Sequence, residues 1–200
     1  MTAPGRPSRF APLPETAAWR HQGARDGFEV AYFEVHDRGS RIQGWTTAVE
    51  DGVAWAVEYL IDLDATGATR GARIRGRSAA GSRSALLEAD GAGRWLVGGA
   101  TAPHLDGCLD VDLESSAVTN ALPVRRMGLG PGASADAPAA YVRAVGLATE
   151  RLEQTYQRAA DQGAGHRYDY AAPVFGFACQ ITYDESGLVL SYPGIAVRAG

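Results

Sequence analysis

Residues 106–126, reading DGCLDVDLESSAVTNALPVRR, gather most of the chain's candidate chemistry. Carboxylates (Asp106, Asp110, Asp112, Glu114), a thiol (Cys108), an amide (Asn120) and two guanidiniums (Arg125, Arg126) share this one stretch. Leu109, Val111 and Leu113 alternate with Cys108, Asp110 and Asp112, and alternate residues of a strand point to opposite faces. An extended chain here has one aliphatic face and one carrying two carboxylates, roughly 7 Å apart along the Cα trace. Thr119 and Asn120 precede Leu122 and Pro123, read as a turn or strand edge. Adjacent strand residues face opposite ways, so at most one of Arg125 and Arg126 shares a face with a given carboxylate. The expectation is two neighbouring strands linked by a turn, with an Arg–Asp–Asn cluster between them.

Three chemistries suit the cluster Asp106, Asp110, Asp112, Asn120, Arg125 and Arg126. Arginine can hold an anionic or hydroxylated headgroup in bidentate fashion while Asp and Asn bond its hydroxyls. The same residues can form a buried network that fixes strand register. Close carboxylates can also raise one another's pKa and act as acid and base on a small hydrophobic substrate. Cys108, in this acidic setting, is expected to have a raised pKa and to serve as core or cavity lining.

Other motifs point to less. Asp110-Val111-Asp112 and Asp62-Leu63-Asp64 spell the Asp-x-Asp of some glycosyltransferases, but the nucleotide-binding α/β domain such enzymes need is not legible here. Residues 128–133, GLGPGA, match a loose dinucleotide fingerprint with a proline inside and no amphipathic helix following, so they read as a turn. His21, His36, His104 and His166 show no ligand spacing, and neither metal nor cofactor is expected. No Gly-x-Ser-x-Gly elbow is present. All nineteen basic residues are arginine, which excludes Schiff-base, pyridoxal phosphate and P-loop chemistry that requires lysine. A net charge of −4 gives no general attraction for nucleic acid.

The elements that must position these residues read as strands. Residues 28–35 (FEVAYFEV), 41–49 (RIQGWTTAV) and 53–62 (VAWAVEYLID) are rich in aromatic and β-branched types and are separated by turn signals at 36–40 and Asp51-Gly52. Residues 69–78 alternate, with Arg73, Arg75 and Arg77 on one side and Ala72, Ile74 and Gly76 on the other. This basic stripe reads as a solvated face, as charge protecting an edge strand, or as an attractor of anionic lipid. Residues 84–89 and 94–97 form a further hairpin, and 139–145, 167–170, 175–183 and 188–192 are further strands. Residues 147–160 (LATERLEQTYQRAA) have helix-like composition with ambiguous periodicity. Residues 1–17 read as a flexible lead-in, leaving 18–200 as one domain. The N-terminal residues hold no apolar run of signal-peptide length, no segment has the length of a membrane span, and Cys108 and Cys179 are expected as reduced thiols. Cytoplasmic location is the default. Many short strands joined by Gly/Asp turns argue a mainly β, antiparallel roll or open barrel with one helix. Trp45, Trp55, Tyr59, Trp95, Phe175 and Phe177 would line its apolar face, as core or as a ligand cavity.

With that pattern in view, the chain resembles the putative glycolipid-binding family. The resemblance rests on LDGCLDVDL at 105–113, TNALPVRR at 119–126, Gln154 with Tyr156, Tyr168, and the closing GLVLSYPGIAVR at 187–198. It implies an incompletely closed β-roll similar to bacterial lipoprotein and glycolipid carriers, in which a concave apolar face holds acyl chains. A Pro-Phe expected before the Thr-Asn pair is replaced here by Ala117-Val118. The expected function is non-enzymatic binding of a lipid or glycolipid, with the acid/base enzyme as the alternative.

Overall fold

The structure, a computed structural model, describes residues 10–160 and 165–200. Eight strands follow one another as an antiparallel meander: β1 (Thr16–His21), β2 (Arg25–His36), β3 (Gly39–Glu50), β4 (Val53–Asp64), β5 (Thr69–Ser78), β6 (Gly81–Ala89), β7 (Trp95–Val97) and β8 (Ala100–Thr101). The β3–β4 turn has Asp51 at φ 50° and Gly52 at φ 75°, the paired left-handed conformation whose twist matches a two-residue hairpin. The chain then leaves the sheet through β9 (Asp110–Leu113), a 3₁₀ turn (Val118–Asn120) and α1 (Ala121–Met127). It continues through β10 (Ser134–Asp136), β11 (Ala139–Val142), β12 (Thr149–Leu152), β13 (Thr155–Arg158), β14 (His166–Ala172), β15 (Phe177–Tyr183), β16 (Val189–Tyr192) and β17 (Ala196–Arg198).

β17 returns to pair with β1, Trp19 opposite Arg198. The result is a fourteen-stranded sheet running from β10 to β8 that does not close. A second sheet, β12-β11-β9, holds the one parallel pairing among the described residues, Ala140 opposite Val111.

Residues 108–120 lie inside the curl of the large sheet. Their partners come from strands spread across it. Tyr59 of β4 and Glu29 of β2 meet Ser116 and Ala117, and Thr69 of β5 accepts the Val111 N–H. Trp95 of β7 donates to the Cys108 carbonyl, and Tyr156 of β13 and Tyr183 of β15 both bond Asn120. One short segment can reach all these strands only if the sheet wraps around it. The expected concavity is therefore largely filled by the chain's own centre.

Several expectations are corrected. The predicted strand–turn–strand over 106–126 is a strand followed by a 3₁₀ turn and a helix. Pro123 sits in the first turn of α1, where an N–H has no intrahelical acceptor to lose; Gly128, at φ 52°, ends the helix in the left-handed region with its N–H on the Val124 carbonyl. The helical composition of 147–160 yields β12 and β13 instead, because pairing with β11 and β14 outweighs propensity. Residues 1–9 of the expected lead-in lie outside the described residues; over the rest of it Phe10 is buried and β1 begins at Thr16. The arginine stripe does project outward, but β5 is paired on both sides, so it guards no edge.

Candidate functional site

Two cavities flank the central segment. The larger, about 540 Å³, is a groove between α1 with its preceding turn and the β2–β4 strands. Its walls are Phe33, Ile42, Leu63, Val118, Ala121 and Leu122, with Leu13 and Leu188 alongside. Polar residues also line it: His36, Asp37 and Ser40 of the β2–β3 hairpin, the Asp64–Gly67 loop, and Arg125 and Arg126 of α1.

The two arginines are held differently. Arg126 forks onto Asp110, Nη2 to Oδ2 at 2.6 Å and Nε to Oδ1 at 3.0 Å. Burial raises the Asp110 carboxyl above the ordinary range, and Arg126 offsets only part of that rise. Arg125, about a third of a turn away around the helix, donates to the carbonyls of Ser186 and Ala11 and lies 5.9 Å from the Phe10 ring centroid. No described carboxylate forms an ion pair with it. Burial lowers its pKa, with Asp184 attracting it through space, while Asp184 itself pairs with Arg198 at 3.0 Å.

The smaller cavity, about 270 Å³, lies on the other side of the 3₁₀ turn. Asp112, Asn120, Tyr141, Tyr170, Phe177 and Tyr192 line it, with Arg25, Glu114, Arg143 and Phe175 at its margin. Asp112 Oδ1 accepts from Thr119 at 2.8 Å. Burial first, then the charges of Asp110 and Glu114, push its carboxyl up to about 6. Arg25 bridges Glu50 and Glu114, and Arg143 bridges Glu114 and Glu150. Arg143 also stacks over Tyr141 and Phe175, at 5.2 and 5.4 Å from the ring centroids.

The expected polar cluster is thus divided. Asp110, Arg125 and Arg126 belong to the groove side, and Asp112 and Asn120 to the smaller cavity. Asp106 is exposed and joins neither; its carbonyl accepts from Arg151. The expected aromatic lining is also divided. Phe177 and the half-exposed Phe175 border the smaller cavity. Trp55, Tyr59 and Trp95 are core residues outside both cavities. Trp45 is 42% exposed on the outer face, because its neighbours Gly44 and Thr46 take the inward positions of β3. Cys108 is buried with its thiol pushed up to about 11, by desolvation more than by its acidic neighbours. Asp62 and Asp64 are committed to Arg41 and to the loop at 64–68.

Sequence reasoning missed Glu29. It is fully buried in β2 and accepts from the Tyr59 hydroxyl at 2.7 Å, the Ser116 hydroxyl and the Ala117 N–H at 2.7 Å. Burial carries its carboxyl to about 6 against the pull of those donors. The signal available was a glutamate in the middle of an otherwise apolar strand. His21 was also missed: burial and the nearby Arg25 lower it to about 4, with Nε2 2.8 Å from Thr46 Oγ1.

Comparison with known proteins bears on this arrangement. A family model described as "Putative glycolipid-binding" matches residues 16–198. No curated protein matches. A crystal structure of a DUF1089 family protein from Pseudomonas aeruginosa is similar at 32% identity and a TM-score of 0.73, over 86% of this chain and 92% of that one. A β-barrel-like protein of the DUF1849 family from Brucella abortus shares the fold at 11% identity and a TM-score of 0.53, over 94% of this chain and 95% of that one.

Proposed function

The chain belongs to the putative glycolipid-binding family, and from that premise we propose that it binds a lipid or glycolipid non-enzymatically in the groove between α1 and β2–β4. The observation that carries this reading is an apolar groove with Arg125 at its margin, a partly buried cation with no carboxylate partner among the described residues. An apolar wall with a cation at one end matches an amphiphile. The volume of about 540 Å³ falls within the ~300–1,000 Å³ of typical small-molecule sites. The apolar walls supply affinity at about 0.8 kcal/mol per buried methylene, and Arg125 supplies selectivity for an acceptor-bearing head. Arg126, neutralised by Asp110, braces the helix that forms the wall.

Titration of lipid-free protein with saturated fatty acids of increasing length tests this. Each methylene should tighten Kd about fourfold until the groove is full. Ser40→Trp, at a half-buried groove position in β3, should abolish binding, and Arg125→Gln should weaken acids more than the matching alcohols. Affinity that is flat with chain length, or unchanged in Ser40→Trp, would refute the proposal.

One observation favours the enzyme reading: Asp112 is a carboxylate raised to about 6 beside a cavity. The expected Asp106/Asp110/Asp112 set is not assembled, so any acid/base role would fall on Asp112 alone. Turnover of chromogenic esters or glycosides, lost in Asp112→Asn, would establish it; no turnover by the wild type would count against it.

A further inference from the structure

The smaller cavity holds two side-chain oxygens, on otherwise buried residues, that accept no hydrogen bond from the described residues. Asp112 is 6% exposed and Asn120 5%. Asp112 Oδ1 is taken by Thr119, but Oδ2 accepts no hydrogen bond from the described residues. Asn120 Nδ2 donates to the Tyr156 hydroxyl at 3.1 Å, and its Oδ1 likewise accepts nothing. Both residues line the 270 Å³ cavity. Neither oxygen is sealed inside the protein, so both are open to a donor that enters the cavity.

Three properties define what fits. The ligand must donate hydrogen bonds, since the open atoms are acceptors and would repel an anion. Arg25 and Arg143 are each committed to two glutamates, sharing Glu114 and reaching Glu50 and Glu150 beyond the lining, so neither is free to hold an anion, and a neutral donor needs no counter-charge there. Five aromatic rings, Tyr141, Phe175 and Phe177 among them, line the cavity beside the aliphatic Leu113, Leu152 and Ile195, and rings with a negative face attract the C–H edges of a compact saturated ring. The volume lies below the range of drug-sized sites and admits one ring, not an acyl chain.

We propose that this cavity is a binding site for a single sugar ring, with Asp112 Oδ2 and Asn120 Oδ1 accepting from its hydroxyls and Phe175 at the mouth packing on its C–H face. The site is separate from the groove and does not depend on lipid being bound there.

Saturation-transfer difference NMR of the full chain with D-glucose, D-galactose and D-mannose tests the proposal. At least one sugar should receive transfer at its ring protons. Asp112→Asn should weaken that binding about tenfold, the scale of one charge-assisted hydrogen bond. Phe175→Ala, a change at a 43% exposed position that leaves the core intact, should weaken it severalfold, and Ser40→Trp should leave it unchanged. Should Asp112→Asn fail to fold, Phe175→Ala decides. No transfer to any of the three sugars, wild-type transfer in Phe175→Ala, or loss in Ser40→Trp would each overturn the assignment.

Discussion

Asp110→Asn is the sharpest test of what the divided cluster does. The substitution keeps the side chain's shape and removes its charge. The Asp110 side chain is 1% exposed and that of Arg126 is 16% exposed, joined by contacts of 2.6 and 3.0 Å. Breaking a buried pair from one side costs about 3–5 kcal/mol, mostly from the charge left behind. Arg126 retains some access to water at the groove margin, so the lower end, about 3 kcal/mol, is expected. In a chain of this size each kcal/mol moves Tm by about 2–4 °C, giving a fall of roughly 6–12 °C. Thermal unfolding followed by circular dichroism reads it. Because burial more than offsets Arg126 in setting the Asp110 pKa, the pair is costly to break and not a large net stabiliser. Asp110→Leu combined with Arg126→Met should therefore recover most of the loss. A Tm change in Asp110→Asn within about 2 °C, under 1 kcal/mol on that scale, would refute the bracing role.

Further outcomes follow from the buried ionisable groups and close packing. His21 sits at about 4 in the fold against 6.5 unfolded, so its contribution is present above pH 6.5 and is lost as pH falls toward 4, by up to about 3 kcal/mol. His21→Gln should gain on wild type between pH 7 and pH 5 in paired melting curves, and a constant difference would contradict this. Glu29 has the opposite sign: it sits at about 6 against 4.5, so the fold binds the proton more tightly and gains about 2 kcal/mol as pH falls through that window, losing it again as pH rises. Glu29→Gln should accordingly lose ground to wild type on acidification; equal slopes would remove Glu29 from the account. At Gly44 an added Cβ would lie 2.2 Å from the Tyr59 ring and hydroxyl. Gly44→Ala should displace Tyr59 from Glu29 and lower stability by about 2–4 kcal/mol by overpacking and a lost buried hydrogen bond, and an unshifted denaturation midpoint would argue against that packing.

The hairpins of the first half were legible because each pairs a period-two run with a turn that allows positive φ, as at Asp51-Gly52. What was hidden depended on distant partners. Pro123 suits a strand edge or a helix's first turn equally well; Arg125, Arg126 and Gly128 behind it were the helix signals that distinguish the two. In 147–160, Leu152, Gln154, Tyr156 and Arg158 are buried at period two, but the interleaved Glu, Gln and Arg also suit a helix, and only pairing with β11 and β14 decides. In β2 the alternation of Phe28, Val30 and Tyr32 with Glu29, Ala31 and Phe33 does not say which set faces in. The less apolar set does, because Tyr59, Ser116 and Ala117 satisfy Glu29. The division of the expected polar cluster between two cavities depends on helical geometry at Arg125 and Arg126, which a strand reading could not supply.

Native mass spectrometry of the purified chain beside Ser40→Trp tests the groove most directly. The account predicts a stoichiometric lipid or glycolipid adduct on the wild type, or one that forms on adding fatty acid, and none on Ser40→Trp. Bare wild-type protein that stays bare with added lipid, or an adduct that persists in Ser40→Trp, would contradict it.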